Sequence, residues 1–141
     1  EQILFRIMPG ETIAWGGQAN PNGKIPFMVE FEVLDPGNKW MPEDQINPVG
    51  FKPFEMIGLQ ANKSDFGTSF TGEIINHNET TFSQIAVSII LRDISSKLIV
   101  GYTGFVNQLP ANGKAPFEVD SLGKVPEYAS FEVYAQPWEM L

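Results

Sequence analysis

The sequence predicts an all-β chain: a two-sheet antiparallel sandwich with additional strands at its N-terminus. Three observations carry this. Short segments between Phe54 and Ala135 alternate apolar and polar residues with period two; polar or glycine-bearing turns separate them at about 8–12 residues; and apolar residues at helical spacing coincide with β-branched runs, Gly or Pro.

Taken in order, residues 1–34 read as N-terminal strands, and Asp35–Gly50 (DPGNKWMPEDQINPVG) as a linker with prolines at six-residue spacing. Seven of the eleven prolines fall in the first 53 residues and none lies between Pro53 and Pro110, which places the main sandwich at 51–141. Phe54–Ala61 is its opening strand. In the next, Phe70, Gly72 and Ile74 alternate with Thr71, Glu73 and Ile75, and the run stops at the polar turn Asn76-His77-Asn78-Glu79. The strongest alternation follows: Ile85, Val87, Ile89 and Leu91 face one way, Ala86, Ser88, Ile90 and Arg92 the other, as in a half-buried strand. Asp93–Lys97 turns the chain into a strand over Leu98–Asn107, and Gly113-Lys114 turns it into a short one around Phe117 and Val119. The last strand is Ala129–Ala135.

One element occurs twice. Gln18–Val29 (QANPNGKIPFMV) and Gln108–Val119 (QLPANGKAPFEV) agree at seven of twelve positions at a constant offset of 90. Each copy is an Asn-Gly-Lys turn followed by a strand whose Phe and Val, two apart, share a face. Two origins fit: residues 1–34 are extra strands packed on the main sandwich, or they are the last strands of an upstream copy. In the second case their apolar face needs a partner edge.

Composition excludes several functions. With 43% hydrophobic and 12% aromatic residues the 141-residue chain is not a disordered tail. A net charge of −8 without a basic cluster argues against nucleic acid as partner. The longest apolar runs, such as Ile85–Leu91, fall far short of the ~20 residues that cross a bilayer. The opening Glu1–Arg6 lacks the basic, apolar and small-residue pattern of a secretory leader, although a trimmed chain would look the same. Absence of Cys removes disulfides and thiolate metal sites and says little about compartment.

The second part of the chain resembles the FxLYD-type domain. The residues that carry the resemblance are Phe70–His77 (FTGEIINH), Val87–Asp93 (VSIILRD) with Ser96–Gly101 (SKLIVG), and Leu109–Phe117 (LPANGKAPF). It covers roughly residues 54–135. In the segment that names the family, Leu91 and Asp93 fit, while Ile89 stands where Phe is usual and Arg92 where Tyr is usual. The resemblance implies an immunoglobulin-like sandwich, an exported or membrane-anchored protein of bacterial or archaeal type, and no catalytic residues to carry over.

The inventory of chemistry points the same way. His77 is the only histidine and sits in a turn, so it offers neither a zinc site, which needs three or four ligands, nor a Ser-His-Asp triad, for which no G-x-S-x-G occurs. Glu30 and Glu32 share a strand face and Glu43-Asp44 lie in the linker, neither with the spacing of a calcium loop. Gly16-Gly17 lacks the G-K-[ST] of a phosphate loop. No catalytic, metal or cofactor residue is expected. Trp15, Trp40 and Trp138 lie beside Gly, Pro or Asn outside the alternating runs; they are candidate partner contacts, with capping of the sandwich as the alternative. Asn62-Lys63-Ser64 and Asn78-Glu79-Thr80 are candidate glycosylation sites. The expected function is that of a non-catalytic, extracytoplasmic interaction, accessory or assembly subunit working by strand-edge pairing with a protein partner or with itself. The competing expectation is a carbohydrate-binding module using the loop tryptophans.

Overall fold

A computed structural model of the chain describes residues 50–121 and 123–138. The strands expected over 1–34, the linker up to residue 49, Trp15 and Trp40 lie outside the described residues.

The alternating segments are six strands: β1 (Glu55–Ser64), β2 (Gly67–Ile75), β3 (Phe82–Arg92), β4 (Leu98–Leu109), β5 (Lys114–Asp120) and β6 (Ser130–Pro137). They form two three-stranded sheets, β1-β2-β5 and β4-β3-β6, with every neighbouring pair antiparallel. Strands two and five therefore share one sheet while three and six share the other. That is the arrangement of an immunoglobulin-like sandwich, and among the described residues nothing lies beyond β6 where that fold carries its last strand.

Local sequence sets each connection. Ser64 faces Gly67 across the two-residue Asp65-Phe66 loop, and the Ser64 hydroxyl donates to Gly67 O (3.1 Å) while accepting from Phe66 N (3.2 Å). Within β1 one extra residue bulges between Ile57 and Gln60, at Gly58, whose φ of 63° suits glycine. At the β3–β4 hairpin Asp93 Oδ1 accepts from the amides of Ser95 (2.8 Å) and Lys97 (2.9 Å), an Asx turn. Between β5 and β6, Ser121 N donates to Thr68 O (3.0 Å) and the Ser121 hydroxyl accepts from Thr68 N (2.9 Å), tying the connection back to β2.

Two of the three sheet-to-sheet crossovers, β2–β3 and β4–β5, meet at one end of the sandwich. Asn76, fully buried, donates from Nδ2 to Thr80 O and to Pro110 O, both 2.8 Å, so its amide bridges the β2–β3 and β4–β5 connections. Its Oδ1 accepts from Asn78 N (2.9 Å) and Asn78 Nδ2 (3.0 Å). Asn78 in turn pairs with the backbone of Lys52, accepting from its N–H at 2.7 Å and donating to its C=O at 2.9 Å. The crossover end also receives Asn112 N on Asn78 O (2.9 Å). Both chain connections of the sandwich, at Lys52 and at Trp138, lie here, because six strands bring the chain back to the end where it began. The opposite end carries the two hairpin loops and the 121–129 connection.

The core lies between the sheets. Phe70 and Ile74 from β2 and Phe117 and Val119 from β5 face Ile85, Val87, Ile89 and Leu91 from β3, all buried. Phe70 is the aromatic centre, with Phe131 at 5.3 Å and Tyr102 and Tyr128 at 6.2 Å. Gly72 leaves room for this packing, since a Cβ there would fall 2.7 Å from the Phe117 ring. One expectation is corrected. β3 is buried on both faces: Ala86, Ser88 and Ile90, which point away from the other sheet, are as good as inaccessible, like Ile85, Val87, Ile89 and Leu91 on the inner face. The strand therefore does not keep the solvent-facing side that its polarity pattern suggested; on that side Ser88 is flanked by Thr103 and Tyr134, and Ile90 by Gly101 and Glu132.

Asn76→Ala removes four hydrogen bonds of the crossovers; Pro110 O keeps Gly113 N and Asn78 Nδ2 keeps Lys52 O, but Thr80 O and Asn78 N lose their side-chain partner, and burying even one unmatched group costs ~1–3 kcal/mol. The variant is expected to lose at least ~2 kcal/mol in urea unfolding, whereas His77→Ala, in the same turn but exposed, is expected to stay within ~0.5 kcal/mol of the parent.

Candidate interaction surface

Among the described residues no group of three or more His, Asp or Glu side chains is placed to hold a metal ion. His77 Nε2 lies 2.8 Å from Glu55 Oε2, an exposed pair at the crossover end. Glu73, on the outer side of β2, pairs with Lys114 at 2.9 Å. These carboxylates are therefore engaged by the exposed basic side chains His77 and Lys114.

The four edge strands differ in how they are guarded. An edge presents unpaired N–H and C=O groups, and natural sheets protect it with charge, proline, bulges or brevity. β1 has its bulge at Gly58 and carries Glu55 and Lys63; β5 is seven residues long and carries Lys114, Pro116, Glu118 and Asp120; β6 carries Glu132 and Pro137. β4 has a bulge at its start, where Leu91 faces Val100 and Arg92 faces Leu98 so that Ile99 is the extra residue, but none of the other devices. Its twelve residues, LIVGYTGFVNQL, include no charge and no proline, and Leu98 and Phe105 stand 57% and 48% exposed. Gly104 packs close to β5, where an added Cβ would meet Val119 at 2.9 Å, so the second half of β4 helps close the sandwich while the first half begins at the hairpin end.

The outer face of the β4-β3-β6 sheet continues from this edge. The register aligns Phe105, Ala86 and Gln136 in one row, Thr103, Ser88 and Tyr134 in the next, and Gly101, Ile90 and Glu132 in the third. Trp138 N donates to Gln84 O (2.8 Å), which extends the β6 ladder by one residue and puts Trp138 on this same face. Its ring meets Phe105 edge-on, centroids 5.5 Å apart. Trp138 is thus not an isolated loop residue; it forms an aromatic pair over the small Ala86. Gln136, between them, has both amide atoms buried and without a hydrogen-bond partner.

At the other end of the face, Arg92 holds Glu132 through two hydrogen bonds, Nε to Oε1 at 2.9 Å and Nη2 to Oε2 at 3.1 Å, and Tyr134 donates to Glu132 Oε2 at 3.0 Å. The hydrogen bonds from Arg92 hold the Glu132 carboxyl below the ordinary glutamate range, with Tyr134 adding to the effect. Partial burial, with the carboxylate beside it, pushes the Tyr134 phenol up. Arg92 thereby ties β3 to β6.

The two sequons part company. Asn62 lies exposed on β1, its Nδ2 making only a long 3.4 Å contact to Thr71 Oγ1. Asn78 is buried with its amide committed to Lys52 and Asn76, so a glycan on its Nδ2 and this crossover exclude one another. The sequence held a usable signal for the β4 edge, twelve residues without charge or proline, but not for the buried asparagines, which read as an ordinary polar turn.

Compared with protein-family models, with curated proteins and with solved structures, the chain matches none.

Two outcomes are expected. Glu132 ionises more easily when folded, so the stability this pair adds is complete above the carboxyl's unfolded pKa and is lost as the pH falls through its lowered folded pKa; thermal melts should show a shallower acid limb in Glu132→Gln than in the parent. In a glycosylating host, a glycan should be found on Asn62 by peptide mass mapping, and none on Asn78 in protein that retains the β-sheet circular dichroism of the parent.

Proposed function

We propose that this chain is a non-catalytic, exported or cell-surface β-sandwich that serves as a protein-interaction, accessory or assembly subunit, recognising its partner by strand-edge pairing. The observation that carries the reading is β4, a twelve-residue edge strand without charge or proline, with Leu98 and Phe105 exposed along it. Such an edge is a template for a further strand: backbone hydrogen bonds supply affinity, and alternate side chains supply specificity. The partner is a protein strand, from another protein or from another copy of the chain. The resemblance of residues 54–135 to the FxLYD-type domain supports the extracytoplasmic setting. The chemistry supports the non-catalytic part, because the acids among the described residues that carry ion pairs are exposed and matched with Lys, Arg or His rather than set against one another in a cleft.

A second reading is favoured by one observation, the Phe105–Trp138 pair on the outer sheet face. Aromatic rings on a flat sheet are a platform for sugar rings, which makes carbohydrate binding the alternative.

Leu98→Lys with Phe105→Lys places like charges along the β4 edge. In light scattering coupled to size exclusion over a range of concentrations, the parent is expected to exceed 15.7 kDa as concentration rises, and the double variant to stay monomeric with unchanged circular dichroism. A parent that stays at the monomer mass throughout and captures no protein strand would sink the edge-pairing reading. A tryptophan-fluorescence change on glycan titration, lost in Phe105→Ala, would move the alternative ahead.

A further inference from the structure

The recurring segment 108–119 is a definite piece of architecture: the last residues of β4, the turn that carries the chain between sheets, and most of β5. Several of the residues it shares with 18–29 have a task there. Asn112 adopts the left-handed backbone (φ 49°) and Gly113 N returns to Pro110 O at 3.2 Å, which closes the turn. Lys114 Nζ pairs with Glu73 on the neighbouring strand at 2.9 Å. Pro116 stands on an edge strand, where the missing N–H is tolerated. Phe117 and Val119 are buried against the opposite sheet, on the face they share with Ala115.

Residues 18–30 offer the same set at the same spacing: Asn22, Gly23, Lys24, Pro26, Phe27 and Val29. Ile25 stands in the sequence where the repeat has Ala115, and Glu30 keeps the acid of Asp120. Met28 replaces Glu118, which costs only an exposed hydrogen bond from the Ser69 hydroxyl to Glu118 Oε1 (2.6 Å). The position itself is accessible to exchange, since β5 is an edge strand of seven residues, and among the described residues it is laddered to β2 alone.

We propose that residues 18–30 are a second β5, and that their partner is a second copy of this chain, in which they take the strand position beside β2. The inference shares with the preceding reading the premise that strands make the contact, but it concerns a different position from the β4 edge. The resident β5 is tethered and so holds its place at high effective concentration. Exchange therefore grows with protein concentration and with any change that weakens β5.

The chain has no cysteine, so a single disulfide can report the pairing. Thr71 faces Glu118 in the β2–β5 register, and Met28 is the counterpart of Glu118. Mixing full-length Thr71→Cys with full-length Met28→Cys under oxidation is expected to give a disulfide-linked dimer whose yield rises with concentration. Adding Phe117→Ala to the Thr71→Cys chain should raise that yield several-fold, and adding Phe27→Asp to the Met28→Cys chain should abolish it. Thr71→Cys with Glu118→Cys in one chain serves as the control that these positions close a bond. If the control closes and the mixture, with Phe117 intact, yields no linked dimer at any concentration, the proposal is overturned. Closure within single chains carrying Thr71→Cys and Met28→Cys overturns the second copy as partner. Dimers that form without the disulfide, and vanish with Leu98→Lys/Phe105→Lys, overturn the β5 position while leaving the β4 reading in place.

Discussion

The structure depends first on the side-chain amide of Asn76. A sandwich of two small sheets is held by apolar burial, which is strong but without direction, and so does not by itself fix how the chain passes from one sheet to the other. Asn76 supplies that direction. Buried, it grips the carbonyls of Thr80 and Pro110 and accepts from Asn78, which holds Lys52. One side chain thereby joins the connection before β3, the connection before β5 and the approach to β1. The alternation along β2 and β5 then decides which faces turn inward, and a slip of one residue would send Phe70 and Phe117 to solvent.

That arrangement leaves a geometric remainder. Two sheets of three strands have four edges, and the chain blunts them unequally. β1, β5 and β6 carry charge, proline or a bulge, and β6 is further stiffened by the Arg92–Glu132–Tyr134 cluster that fixes it to β3. β4 carries a bulge at Ile99 but neither charge nor proline. Its apolar residues are not all needed for the core, since Leu98 and Phe105 are substantially exposed while Tyr102, Val106 and Leu109 are buried. An edge strand with neither charge nor proline is a liability for a solitary domain and an asset for one that pairs.

Much of this was legible in the sequence, and the illegible parts share a cause. Period-two alternation placed β2, β3, β5 and β6, because a strand buried on one face must write its burial into every second residue. Turn residues located the loops for a similarly local reason. What failed to show was decided by non-local contacts. Asn76 and Asn78 look like turn residues in any window that contains only their neighbours; that their amides reach Pro110 and Lys52 is a property of the assembled crossovers. The polar side of β3 looked solvent-facing because Ser88 and Arg92 are polar, whereas Ser88 lies between Thr103 and Tyr134 and Arg92 is engaged by Glu132. Trp138 looked like a loop residue, yet one more ladder hydrogen bond sets it against Phe105.

The same distinction bears on what such a molecule can do. Chemistry needs titratable groups brought together from distant elements, in a place where water is scarce and charges are felt strongly. Among the described residues Glu73 meets Lys114 and Glu132 meets Arg92, pairs of opposite sign, and the perturbed acid is held ionised by an arginine rather than poised to exchange a proton. The buried polar residues are asparagines, serine and threonine whose hydrogen bonds serve the backbone. What the fold does set side by side, among the described residues, is a twelve-residue edge strand without charge or proline and the exposed apolar side chains Leu98 and Phe105. Backbone groups in register select a partner by strand direction and by the spacing of alternate side chains. A scaffold fixed by one buried amide and a central strand packed on both faces keeps that register constant, which is the property an assembly subunit requires.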